Sequence, residues 1–147
     1  MEISKGYNIE VFKNPKGLYQ AEIPSRYITS FDNDIFSVVA PGTNSSLTIS
    51  THEFESKLND IDFAGIFQRL TLKYEALQEP YYQTPDVLMQ HLKSVKPNQS
   101  GDIVTTFWTI CIKRILNSMI LISVNVDEHE NIQVLEDYKV IINSVVN

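Results

Sequence analysis

Ile103-Val104-Thr105-Thr106-Phe107-Trp108-Thr109-Ile110-Cys111-Ile112 and, after a short gap, Met119-Ile120-Leu121-Ile122-Ser123-Val124-Asn125-Val126 decide how this chain folds. The first run is rich in threonine, isoleucine and aromatic residues, the composition of a long strand. The second is apolar at every position from 119 to 122. A strand with one wet face alternates, whereas this one has no polar side to give to water. It predicts a central strand covered on both faces. Asn117-Ser118 is the expected turn between the two.

Working outward, the first third also reads as β. Tyr7, Ile9 and Val11 alternate with Asn8 and Glu10, and Tyr19, Ala21 and Ile23 alternate with Gln20 and Glu22. Asn14-Pro15-Lys16-Gly17 lies between them. Proline sets φ at its second position and glycine permits positive φ near its end, so the segment predicts a hairpin. Ile35 to Ala40 is a third strand, stopped by Pro41-Gly42, and Leu47 to Thr51 a fourth.

The middle changes period. Phe63, Ile66, Phe67, Leu70, Tyr74 and Leu77 stand at helical spacing, with Asn59 or Asp60 as cap and Asp62 suited to the positive end. Thr84-Pro85-Asp86 predicts the start of a second, shorter helix with Val87, Leu88, His91 and Leu92 on its face. Asn98-Gln99-Ser100-Gly101 is a turn. Val134, Leu135, Tyr138, Ile141, Ile142 and Val145 mark a C-terminal amphipathic helix, with Asn131 near its start. The order is four strands, two helices, two or three strands and one helix. Sequential strands joined by short turns imply antiparallel pairing. The expected fold is α+β: a single antiparallel sheet of about six or seven strands, helices on its faces, one domain over 1–147.

This pattern resembles the superfamily of the photosystem extrinsic protein PsbP, which also holds the yeast Ran-binding nuclear-transport factor and many bacterial domains of unknown function. The likeness rests on Ala21-Glu22-Ile23-Pro24, on Tyr27, on the Leu47-Thr48-Ile49-Ser50 strand, on Phe107-Trp108 in a long hairpin, and on the closing Ile141-Ile142-Asn143-Ser144-Val145. It spans almost the whole chain but is one of pattern, with no motif matched at single positions. The resemblance implies a binding or assembly module rather than an enzyme. It transfers no metal, partner or functional residue.

Composition bounds function independently. The 147 residues carry 18 acids against 12 bases, a net charge of -6, with 43 % hydrophobic residues. That content excludes a disordered chain. An acidic balance disfavours nucleic acid and anionic membrane as main partners, because both demand a basic footprint. The longest apolar stretch, Met119 to Ile122, is far short of the ~20 residues of a spanning helix. No basic and apolar leader opens the sequence and Cys111 has no second cysteine to pair with, so a cytoplasmic setting is expected. Five glycines leave no phosphate-cradling loop.

Candidate chemistry is sparse. His52, His91 and His129 have no histidine or cysteine at ligand spacing, so no metal or cofactor is expected. Cys111 reads as a small buried filler. Asp32 with Asp34, the Glu53–Asp62 group, and Asp127, Glu128 and Glu130 read as solvated carboxylates, the last group also as an acidic patch for a basic partner. Tyr81 and Tyr82 stand in the proline-bracketed segment Glu79–Pro85. Tyrosine brings contact area and a polar tip at low entropic cost, which suits an interface. The plainer alternative packs one tyrosine on the sheet and exposes the other. Tyr81, Tyr82, Asp127, Glu128 and Glu130 are therefore the candidate partner-binding residues. The expected function is non-catalytic protein binding. The alternatives are an immunity-type protein neutralising a basic toxin, or a small-ligand binder or hydrolase with a pocket between the sheet and the long helix.

Overall fold

Residues 118–127 sit at the centre of an eight-stranded antiparallel sheet in the computed structural model, which describes residues 8–130 and 132–146. Tyr7, Asn131 and the extreme N-terminus, each part of the sequence reading, lie outside the described residues. The elements in chain order are β1 (Ile9–Lys13), β2 (Gln20–Pro24), β3 (Ile28–Asp32), β4 (Ile35–Val39), β5 (Ser46–Glu53), α1 (Asp60–Thr71), β6 (Glu75–Ala76), β7 (Tyr81–Thr84), β8 (Val87–Pro97), β9 (Ile103–Ile115), β10 (Ser118–Asp127) and α2 (Ile132–Ser144). The large sheet runs β3-β4-β5-β10-β9-β8-β6, with β7 also paired to β8. β1 and β2 form a separate two-stranded sheet.

The fold is α+β with antiparallel pairing throughout, as expected, but it has two sheets rather than one, and two helices among the described residues rather than three. The register explains the doubly apolar central strand. Ile120 and Ile122 pair with Lys113 and Cys111 and face α2, whereas Met119 points with Arg114 to the side of α1. The core accordingly has two layers. Phe63 and Phe67 of α1 pack on Leu88, Leu92, Ile110, Ile112 and Met119. Tyr138, Ile141 and Ile142 of α2, together with β1 and β2, cover Leu47, Ile49, Ile120 and Ile122 on the other face. Each such side chain, fully removed from water, stabilises the fold by roughly 1.5–3 kcal/mol.

Local chemistry sets the boundaries. Asn14 Oδ1 accepts from the main-chain N–H of Lys16 at 3.0 Å, and Gly17 takes φ +73°, which closes the β1–β2 turn. Asn59 caps α1 by accepting from the Asp62 N–H at 2.7 Å. The helix stops at Thr71, before the expected Tyr74 and Leu77. The Thr71 hydroxyl turns back onto the Phe67 carbonyl at 3.0 Å, and the chain continues as β6 against β8.

The expected short helix after Thr84-Pro85-Asp86 is instead the long strand β8. Thr84 Oγ1 accepts from the Asp86 N–H at 3.2 Å, as in a helix cap, but the turn opens a strand. Val87, Leu88, His91 and Leu92 fit either period. The partner decides, because β9 offers a registered neighbour to every residue from Val87 to Pro97. For the same reason Tyr81 and Tyr82 lie on strand β7 and not in a loop. β3 is a strand that no apolar alternation in the sequence announces. All five of its residues are exposed at the sheet edge, and it is tied to β4 by Asn33 and Asp34, both at positive φ.

Candidate functional site

α2 and the small sheet cover only part of the face they pack on. Over β8, β9 and β10 the cover is incomplete, and a cleft of about 670 Å³ opens between α2 and the sheet. Strand alternation builds its floor. On β8 the odd positions Met89 and His91 face α2, on β9 Phe107 and Thr109, and on β10 Val124 and Val126. Tyr81 pairs with Met89 on β7 and joins the same face. Leu135, Glu136 and Lys139 form the helical wall. One end is closed by Asp127, where β10 stops, and by Glu128 and Glu130 in the connection to α2.

Four of the five residues singled out in the sequence thus line one cleft: Tyr81, Asp127, Glu128 and Glu130. The fifth does not. Tyr82 pairs with Leu88, so its side chain lies on the opposite face of the sheet, 51 % exposed, in a small recess with Asp60 and Pro85. Tyr81 and Tyr82 were adjacent in sequence and are separated by the pleat.

The cleft is apolar below and charged at the rim. His91 Nδ1 lies 2.9 Å from Thr109 Oγ1, and its ring stands 6.3 Å from that of Tyr81. Burial, aided by the charge of Lys139, pushes the imidazole below its ordinary pKa, and burial pushes the Tyr81 phenol up. Both groups are therefore neutral near pH 7. Lys139 pairs with Glu136 at 3.8 Å. The sequence spacing predicts a helix face for His91 and carries no signal for Lys139, whereas the structure brings both to the cleft. Reading 87–93 with a period of two would have put His91 beside Met89.

The remaining candidates are scattered. His52 lies exposed on β5 and His129 on the acidic connection. Among the described residues no three histidine, cysteine, aspartate or glutamate side chains come together as a metal site. Cys111 is fully buried on β9, and burial raises its thiol pKa to about 11. Asp60 is bound to Arg114, and Asp34 to Lys16 at 3.8 Å. The cleft lies on the α2 side of the sheet, across from the long helix α1 beside which the sequence offered a pocket as an alternative. On the α1 side Phe63 and Phe67 sit closely against the sheet. No helix among the described residues is long and apolar enough to cross a membrane.

No protein-family model matches the chain. No curated protein matches it either. Solved structures do. The Ran-binding protein Mog1p of Saccharomyces cerevisiae superposes with a TM-score of 0.63 over 96 % of both chains, at 15 % identity. The chain has the Mog1p–PsbP fold. The cyanobacterial PsbP (CyanoP) of Synechocystis superposes with a TM-score of 0.59 over 99 % of this chain and 96 % of its own, at 10 % identity. A Bacteroides thetaiotaomicron structure gives 0.64 at 14 % identity over 93 % of this chain, which spans only 47 % of that protein. The resemblance drawn from the sequence is therefore correct at the level of the Mog1p–PsbP fold. A fold of this kind does not by itself carry a site.

Proposed function

We propose that this chain is a non-catalytic protein-binding module acting in the cytoplasm, and that its contact surface is the cleft between α2 and the sheet. One observation carries the reading. Tyr81, Met89, Phe107, Val124 and Val126 give a largely apolar floor, with His91 and Thr109 set in it, and three carboxylates, Asp127, Glu128 and Glu130, line the same open concavity. Aromatic and methionine side chains with a polar rim are the composition of interface cores. Mog1p, of the same fold, is a Ran-binding protein, which supports protein binding as the use of this architecture.

Site-specific photo-crosslinking tests it. Leu135, on the cleft wall, and Leu72, 80 % exposed at the end of α1, are each replaced by benzoylphenylalanine and irradiated in cells. A discrete protein adduct from position 135 and none from position 72 is expected. Equal adducts from both positions, or none from 135, overturn the reading.

A second reading has its own observation. A volume of about 670 Å³ falls within the ~300–1,000 Å³ typical of small-molecule sites. A small-ligand carrier would show a thermal shift with a cell extract stripped of macromolecules.

A further inference from the structure

Resting on the binding-module reading, we propose that the cleft receives an elongated cationic peptide segment, with a lysine or arginine held among Asp127, Glu128 and Glu130 and an apolar side chain seated on either side of it. Charge gives the first part. The cleft lining carries four acids, Asp127, Glu128, Glu130 and Glu136, against the single base Lys139. Three of those acids stand together at one end, where their fields add and a cation is favoured.

Shape gives the second part. The same three acids also wall a shallower recess of about 540 Å³ on their far side, lined by Thr43, Ile103 and Val104. Most of its lining is polar, Asn44, Thr105 and His129 included, but Ile103 is 67 % exposed and Val104 38 %, and the two make one open apolar spot in it. The acidic connection thus stands between the apolar floor of the cleft and the exposed Ile103–Val104 spot in the second recess. A compact amine covers only one of them. An extended chain advances about 3.3 Å per residue and points every second side chain the same way, so it crosses the acidic connection with a cationic side chain and seats the apolar side chains two positions before and after it on either side.

The test is a fluorescence anisotropy titration of the full chain with labelled acetyl-Gly-Leu-Ser-Arg-Ser-Phe-Gly amide at low salt. Two control peptides replace the arginine by glutamate, or both apolar residues by glycine. The expected result is saturable binding of the first, with each control at least tenfold weaker, and affinity falling as salt is raised. Glu128→Gln with Glu130→Gln weakens the first peptide at least tenfold, and Ile103→Ser weakens it several-fold. Glu128 and Ile103 are exposed and Glu130 is half-buried, so circular dichroism and melting temperature are measured beside each titration, and Glu128→Gln alone, which should weaken the first peptide several-fold, separates lost binding from lost stability. Equal binding of the glutamate peptide, or no effect of the double variant, overturns the cationic assignment. Full competition by phenylethylammonium at its own low concentration overturns the elongated occupant in favour of a small amine. A partner cross-linked at position 135 alongside charge-indifferent peptide binding removes this inference alone, whereas absence of any cross-link there removes the binding-module reading beneath it.

Discussion

The Lys113 ammonium donates to the main-chain carbonyl of Ile142 at 2.6 Å, and so fastens the C-terminal end of β9 to the last turn of α2. It also donates to the Val145 carbonyl at 3.0 Å. A helix ends with carbonyls that have no partner of their own and with a negative dipole, and a cation there answers both. Burial pushes the Lys113 pKa down, which is the desolvation cost of placing an ammonium in this position.

Lys113→Met keeps the apolar stem and removes the donor. The expected loss is about 1–2 kcal/mol, the scale of a partly buried helix-terminus charge with its hydrogen bonds. Urea denaturation measures it. Native-state hydrogen exchange should accelerate in the last turn of α2 while the amides of α1 are unchanged.

Arg114, the next residue, serves the other face. Its Nε donates to Asp86 Oδ1 and its Nη2 to Asp60 Oδ1, each at 2.8 Å, and its Nη1 donates to the Leu58 carbonyl at 2.9 Å. The guanidinium lies 4.6 Å from the centre of the Phe63 ring. One planar group joins the start of α1, the loop before it and the β7–β8 turn. Arg114→Met should cost about 2–4 kcal/mol, because several polar groups lose their donor together. Arg114→Lys should recover little, since an ammonium has no fork. Denaturant midpoints of the two variants check this, and full recovery by lysine would contradict it.

Leu116 sits in the β9–β10 turn at φ 53°, 73 % exposed. The left-handed region costs a branched residue about 1–2 kcal/mol, and glycine avoids it at a smaller entropic penalty. Leu116→Gly should therefore raise stability by about 0.5–1 kcal/mol, seen as a higher thermal midpoint with an unchanged circular dichroism spectrum.

These turns and buried charges mark the limit of what the sequence discloses. β10 was legible because Met119 to Ile122 has no polar side, and α2 because its stripe from Val134 to Val145 keeps one period. β8 was not, since Val87, Leu88, His91 and Leu92 satisfy the helical and the extended spacing equally, and the choice lies with β9, far along the chain. β3 was missed because an edge strand that buries nothing shows no apolar period. The cleft was half legible. Asp127, Glu128 and Glu130 were visible as a cluster and Tyr81 as an unusual tyrosine. Their meeting with His91 and Lys139 depends on three strands and a helix that no local pattern brings together. Asp137 is a similar case: it is 4 % exposed and looks like one more surface acid on α2.

Asp137 in fact accepts from Arg26, from the Tyr27 hydroxyl at 2.5 Å and from Gln133 Nε2 at 3.0 Å. It ties the β2–β3 turn to α2. Asp137→Asn preserves shape but offers one acceptor oxygen and removes the ion pair with Arg26. The expected loss is about 2–3 kcal/mol, against about 1 kcal/mol for Tyr27→Phe. Because the two side chains share a bond, the double variant should cost less than the sum, and a double-mutant cycle measures that coupling.

Cys111 gives the pH dependence. It is fully buried against Met89 and Ile122, and burial moves its thiol from an ordinary 9.0 up to about 11. Between those values the unfolded thiol is ionised and the folded one keeps its proton. The native state then binds more protons, so stability is full below pH 9 and falls as pH rises towards 11. A two-unit separation corresponds to at most about 3 kcal/mol. Cys111→Ala lacks the ionisation, and the difference between the two proteins' denaturation free energies should narrow across that window. The same burial leaves no accessible thiolate in the native protein near pH 8. A disulfide reagent should therefore find no thiol there until urea unfolds the chain, and then titrate one per molecule. Stoichiometric reaction of the folded protein at that pH would show that Cys111 is open to solvent and remove the basis of the alkaline slope.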